Sequence, residues 1–157
     1  MVEKTVPLTK EGMGRLEEEL RELTLRGRHA VAEKIHNAKE LSTTQNNAEY
    51  DEAKNEQARI EGRILDIQNI LARSTVIDED GAHHSSKVSV GADVTVVDEN
   101  GREHKYTIVG SPEADPTAGR ISNESPVGQA LLGRKVGEEI QVSVPAGLRK
   151  YKVKKIS

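Results

Sequence analysis

YDEAKNEQARIEGRILDIQNIL, residues 50–71, decides the fold. Within it Tyr50, Ala53, Gln57, Ile60, Ile64, Ile67 and Leu71 recur in alternating steps of three and four, the period that holds a coiled-coil seam. Gln57 is the only polar member of that row. A seam of this kind cannot stay exposed, so a second helix must cover it.

The stretch before it supplies the partner. Pro7-Leu8-Thr9-Lys10-Glu11 has the chemistry of a helix start, with Thr9 as the N-cap that accepts from an orphan backbone N–H and Glu11 as the acid favoured in the first turn. Met13, Leu16, Leu20 and Leu23 then mark one apolar face, which continues through Val31, Ile35 and Ala38 after a slip at Gly27. With roughly 30 residues per arm at ~1.5 Å each, the arms extend on the order of 45 Å, and a short link makes them antiparallel neighbours. That link is Ser42-Thr43-Thr44-Gln45-Asn46-Asn47, six residues without a charge between two highly charged arms. The expectation is a long helical finger with a polar tip. Outer-face charges such as Glu17-Glu18-Glu19 with Arg21 read as a solvated helix surface.

After Ser74 the period changes to two. Val94–Val97 and Glu103–Val109 flank Asp98-Glu99-Asn100-Gly101, a hairpin turn because Asn and Gly tolerate positive φ. Ser125-Pro126 has N-cap and N1 chemistry and Gly133 suits a helix end, so a short helix lies between them. Glu139–Val144, Pro145-Ala146-Gly147 and Arg149–Ile156 form another hairpin. The fold class is therefore α+β: a coiled-coil hairpin over 1–75, a linker over 76–87, and an antiparallel sheet with one short helix over 88–157.

Composition narrows the function. Only 34% of the 157 residues are apolar and 2% aromatic, with no Phe or Trp, which suits a thin helical seam and a small sheet and leaves little surface for stacking bases. The formal charge of −3 divides almost evenly between the halves, without the positive excess of a protein that neutralises many phosphates. Generic tight duplex binding is disfavoured, and a specific protein partner is favoured. Cysteine is absent, which rules out disulfides and thiolate metal sites. Neither an N-terminal apolar run nor a stretch of about 18 apolar residues occurs, so the expectation is a soluble, cytoplasmic protein without a membrane partner.

No self-contained enzyme site is visible. The sequence lacks G-x-S-x-G, P-loop and G-x-G-x-x-G patterns. His29 and His36, seven apart, and the adjacent His83 and His84 lack further ligands at metal-binding spacing and read as surface residues. The basic run Arg149, Lys150, Lys152, Lys154, Lys155 suits either an acidic surface or ordinary protection of an exposed strand.

Asn47-Ala48-Glu49-Tyr50, Ala53-Lys54 and Glu61-Gly62-Arg63-Ile64 resemble the second arm of the bacterial transcript cleavage factors GreA and GreB. The segment from Ile121-Ser122-Asn123-Glu124-Ser125-Pro126 to Gly133, then Val136-Gly137-Glu138 and Val144-Pro145-Ala146-Gly147, is similar to that family's C-terminal domain. Leu8-Thr9-Lys10-Glu11-Gly12 also fits, so the resemblance runs in order along nearly the whole chain. It implies an FKBP-like C-terminal domain that docks on RNA polymerase at the rim of the secondary channel, with Glu124, Ser125 and Pro126 matching the docking segment. It also implies a coiled coil inserted toward the active centre, near the nascent RNA, where the tip helps hold a catalytic magnesium and activate water. The factor carries no cofactor of its own: Mg2+ belongs to the polymerase active centre, and the factor assists the polymerase's own RNA cleavage rather than acting as an enzyme.

The tip departs from the family pattern. Members of the family carry an Asp and a Glu three residues apart just before Asn-Ala-Glu-Tyr, and those positions here are Thr43 and Asn46. Magnesium favours carboxylate oxygen and a general base must accept a proton, so a hydroxyl and an amide replace both poorly. Thr43, Thr44, Gln45, Asn46, Asn47, Glu49 and Tyr50 form the expected tip, with Glu40 and Glu49 the nearest remaining acids. The resemblance therefore implies a Gre-type elongation factor whose cleavage stimulation is weak. One alternative is a non-cleaving Gre-like regulator or inhibitor that competes for the channel. The other is a coiled-coil chaperone with a peptidyl-prolyl isomerase-like domain, disfavoured because Phe and Trp are missing from any proline pocket.

Overall fold

The structure, a computed structural model, describes residues 5–41 and 47–157. The chain divides into two compact units, one of Met13–Arg73 and the other joining the residues up to Gly12 to Ser74–Ser157.

The helical unit contains most of α1 (Lys10–Glu22), a π-helical segment Leu23–Gly27, α2 (Arg28–Leu41) and α3 (Ala48–Arg73). The arms run antiparallel, with Glu19 paired to Arg63 at 2.7 Å, Arg28 to Glu61 at 2.7 Å and Lys34 to Glu56 at 2.8 Å, one partner rising in number as the other falls. Such exposed pairs are screened by water and contribute little, and the seam beneath carries the packing. Leu16, Val31, Ala38, Ala53, Ile64 and Ile67 are its buried members. Gln57 stays half-buried at the expected seam position, and its carbonyl accepts from Lys54 Nζ at 2.9 Å.

The slip at Gly27 has a structural cause. Continuing the three-four steps from Leu23 through Gly27 would place Ala30, Lys34 and Asn37 in the seam, whereas Val31 and Ala38 are the buried residues. One extra residue must be absorbed, and the π-helix absorbs it: Arg28 N–H donates to Leu23 O, five residues back. Thr24 Oγ1 donates to Leu20 O at 2.9 Å alongside this widened turn.

The other unit is built on a five-stranded sheet in the order β5-β4-β3-β7-β6, with β3 Asp93–Asp98, β4 Glu103–Val109, β5 Arg120–Ser122, β6 Glu139–Val144 and β7 Gly147–Ile156. The four longer strands are antiparallel, and β5 joins the edge of β4 in parallel. Val94, Val96, Ile108, Ile140, Val142 and Val153 form one buried face, closed by Leu131 of the short helix Pro126–Leu131. Two three-residue strands, β1 Val6–Leu8 and β2 Ser74–Val76, pair in parallel, with Leu8 fully buried.

That pairing draws the unit boundaries differently from the divisions read in the sequence. The sequence pattern puts residues 6–12 with the finger, but the β1–β2 ladder and the Glu113 carboxylate that accepts from Thr9 N join them to the unit that holds the sheet. The stretch 76–87, read as a linker, holds α4 (Glu79–His83), whose N-cap Asp78 accepts from Gly81 N at 3.0 Å and whose Ala82 is buried. With the helices taken in chain order, Pro126–Leu131 is α5.

Candidate functional site

Two places carry the residues singled out by the sequence: the start of α3 and the turn between β5 and α5. Of the first set, Thr43, Thr44, Gln45 and Asn46 lie outside the described residues, while Asn47, Glu49 and Tyr50 lie within them. Asn47 is the N-cap of α3, its Oδ1 accepting from Tyr50 N at 3.1 Å. Its amide also points the other way, donating from Nδ2 to Ala38 O of α2 at 2.8 Å. One side chain thus closes the first turn of one arm and satisfies a carbonyl of the other. The sequence reading places Asn47 only in the tip and misses this capping role, for which an Asn ahead of Ala48-Glu49-Tyr50 is the available signal; the cross-arm bond has no local sequence signal.

Glu49 is exposed in the first turn of α3, where a carboxylate suits the helix dipole, and Tyr50 is half-buried with Lys39 Nζ 5.9 Å from its ring centroid. Glu40 is engaged with His36 Nε2 at 3.1 Å. A cleft of about 480 Å³ lies beside them, with Ala38 and Ala53 at its floor and Lys34, Glu49, Glu52 and Glu56 around it. Small floor residues leave this space open, and the ion pair Lys34–Glu56 lies at its rim.

At the second place, Glu124 and Pro126 are exposed and Ser125 is half-buried. Ser125 caps α5: extended at φ −67° and ψ 156°, its Oγ accepts from Gly128 N at 3.1 Å and donates to Ser122 O at 2.6 Å. Pro126 sits in the first helical turn, where its missing N–H costs nothing. Gly128 must be glycine because a Cβ there would lie 2.1 Å from Ser122 O. Asn123 N donates to Val109 O at 2.8 Å and ties the turn to β4, while its Oδ1 is buried and has no hydrogen-bond partner among the described residues. Two serines engage Glu124, and the sequence singles out no role for Ser111: the Glu124 N–H donates to Ser122 Oγ at 3.0 Å, and its Oε2 accepts from Ser111 Oγ at 3.2 Å. Ser111 and Ser122 are themselves 2.7 Å apart.

The remaining candidates are placed plainly. His29 contacts Glu33 at 3.3 Å, and among the described residues no group of three or more His, Asp or Glu is arranged to hold a metal ion. His104 Nε2 lies 2.9 Å from Asp98 Oδ2, while Asp98 Oδ1 accepts from Asn100 N and Arg102 N, both at 2.9 Å. The His104 hydrogen bond, followed by these backbone donors, holds the Asp98 carboxyl below its ordinary value. Of the basic run, Lys154 pairs with Glu103 across the sheet and Lys150 N donates to Glu99 Oε1 at 3.1 Å. No helix among the described residues is long and apolar enough to cross a membrane.

A paired-helix arm followed by a small sheet domain defines the class of two-part factors to which the comparisons assign the chain. The profile described as "Transcription elongation factor, N-terminal" matches residues 6–76, and "Transcription elongation factor, GreA/GreB, C-term" matches residues 83–157. Similar proteins include transcription elongation factor GreA of Caldanaerobacter subterraneus subsp. tengcongensis, 52% identical over 154 residues, and that of Roseiflexus castenholzii, 47% identical over 155, each match covering 98% of both chains. The crystal structure of the GreA factor homolog 1 protein of Thermus thermophilus is 30% identical, covering 98% of this chain and 99% of that one, with a TM-score of 0.45. The chain belongs to the GreA/GreB family of transcription elongation factors.

Proposed function

We propose that this factor docks on RNA polymerase through the Glu124-Ser125-Pro126 segment at the secondary-channel rim and inserts its coiled coil to act on backtracked complexes. The observation that supports this reading most strongly is the family match along both parts of the chain, at 47–52% identity to proteins named GreA. Stimulation of transcript cleavage is weak in this proposal, because Thr43 and Asn46 offer a hydroxyl and an amide where the family pattern has two carboxylates. Neither group is an anionic oxygen donor or a base near neutral pH, so the pair does not fit a hard dication. The reaction stays with the polymerase, and the chain contributes binding and occupancy of the channel.

A second reading follows from the same two residues: a regulator that occupies the channel without cleaving and excludes active factors. Competition binding tests the part common to both. The full chain, added to polymerase carrying a labelled cleavage-active Gre factor, displaces the label if the docking reading is right. Retention of the label at saturating concentrations would reject it.

A further inference from the structure

Glu124 closes a hydrogen-bonded ring on itself. Its backbone N–H donates to Ser122 Oγ at 3.0 Å, Ser122 Oγ lies 2.7 Å from Ser111 Oγ, and Ser111 Oγ lies 3.2 Å from Glu124 Oε2. Each hydroxyl has one proton, and the carboxylate can only accept. The direction is therefore set: the Ser111 proton goes to Glu124, the Ser122 proton goes to Ser111, and the Glu124 amide proton goes to Ser122. Hydrogen bonds running one way around such a circuit polarise one another, and the charged end strengthens the last.

The two serines stand on different elements. Ser122 ends β5, and Ser111 opens the 3-10 turn Ser111–Glu113 that follows β4. That turn is itself anchored, because the Glu113 side chain is 3% exposed and accepts from Thr9 N at 2.8 Å. These contacts narrow the rotamers open to a long, exposed glutamate, and a side chain ordered before binding loses less affinity to the cost of ordering.

We infer that Ser111 and Ser122 are positioning residues that hold the Glu124 carboxylate ready for a basic group on the docking partner. This rests on the docking role given to Glu124 above. Neither serine touches the partner in this account, and both act through Glu124.

The test combines binding of the full chain to RNA polymerase with NMR of the free protein. Ser111→Ala is expected to weaken binding about threefold to tenfold, the cost of ordering one flexible side chain, while Ser111→Thr, which keeps the hydroxyl, stays within about twofold of the parent. On a Glu124→Gln background the Ser111→Ala loss is expected to shrink to nearly nothing. Three-bond couplings of the Glu124 side chain report one rotamer in the parent and averaged rotamers in Ser111→Ala. Unchanged couplings in that variant overturn the positioning role whatever happens to binding. A Ser111→Ala loss that persists undiminished in the Glu124→Gln background overturns it as well, because the serine would then act elsewhere. Unaltered binding by Glu124→Gln alone, with couplings that still respond, rejects the docking role and with it the purpose assigned to the ring.

Discussion

Glu113 and Thr9, 104 residues apart in sequence, share the start of the first helix: the Glu113 carboxylate accepts from Thr9 N at 2.8 Å and from Thr9 Oγ1 at 2.5 Å, and Thr9 Oγ1 in turn accepts from Gly12 N at 2.9 Å. The cap expected from Thr9 alone is thus a two-residue cap, completed by the turn that also carries Ser111. Arg120 Nη2, 3.4 Å from Glu113 Oε1, balances the buried charge. Glu113→Ala leaves donors buried without their acceptor, and a loss of about 2–3 kcal/mol is expected in denaturant unfolding of the full chain. Glu113→Gln, which keeps one acceptor oxygen, is expected to lose less. Equal losses from both variants would contradict this account of the cap.

Asn47 provides a second stability test, separate from the first. Asn47→Ala removes both the cap on Tyr50 N and the bond to Ala38 O, and should cost about 1–2 kcal/mol. Asn47→Asp keeps the capping oxygen and loses only the cross-arm donor, so its midpoint should fall between those of the parent and the alanine variant.

Glycines separate the two units by outcome. Gly62 is exposed in the interior of α3 with nothing within 4 Å of an added Cβ, so Gly62→Ala should stabilise by about 0.5–1 kcal/mol. At Gly110 the added Cβ would lie 1.8 Å from Pro7 O, a backbone atom that cannot move aside, so Gly110→Ala should lower the melting temperature markedly. A differential scanning comparison of the two variants checks both signs at once.

Acid should weaken the helical unit. Hydrogen bonds from Arg63 and Arg28 hold the Glu19 and Glu61 carboxyls below their ordinary value. The unfolded chain then binds more protons than the folded one in this range, so the contribution is complete above the unfolded value of about 4.3 and is lost as pH falls through the lower folded values. Melting temperatures measured from pH 7 down to pH 3 should drop in that lower window, less steeply for Glu61→Gln and less steeply at high salt. Both pairs are exposed and screened, so the effect is modest. A Glu61→Gln profile that matches the parent would remove this pair from the explanation.

Legibility in the sequence followed the length of the repeating pattern. The α3 seam and the hairpins at Asn100-Gly101 and Pro145-Ala146-Gly147 were readable because hydrophobic period and turn chemistry agree over many residues. Val6–Leu8, Ser74–Val76 and Arg120–Ser122 were not, since three residues carry no period and the first contains a proline. The π-helix left a trace as the slip at Gly27, but a one-residue phase shift does not say how the backbone absorbs it. At the docking segment, the Ser125-Pro126 cap could be read locally. Ser111 could not, because only the parallel pairing of β4 and β5 brings it beside Glu124.

The central claim concerns Thr43 and Asn46, and transcript cleavage in backtracked complexes tests it most directly. RNA polymerase stalled with labelled RNA is incubated with magnesium and the full chain, beside a cleavage-active Gre factor and the Thr43→Asp/Asn46→Glu double variant. The account predicts that the parent chain binds but shortens the RNA little above the polymerase's own rate, and that the double variant gains activity. Robust magnesium-dependent shortening by the parent chain would contradict it.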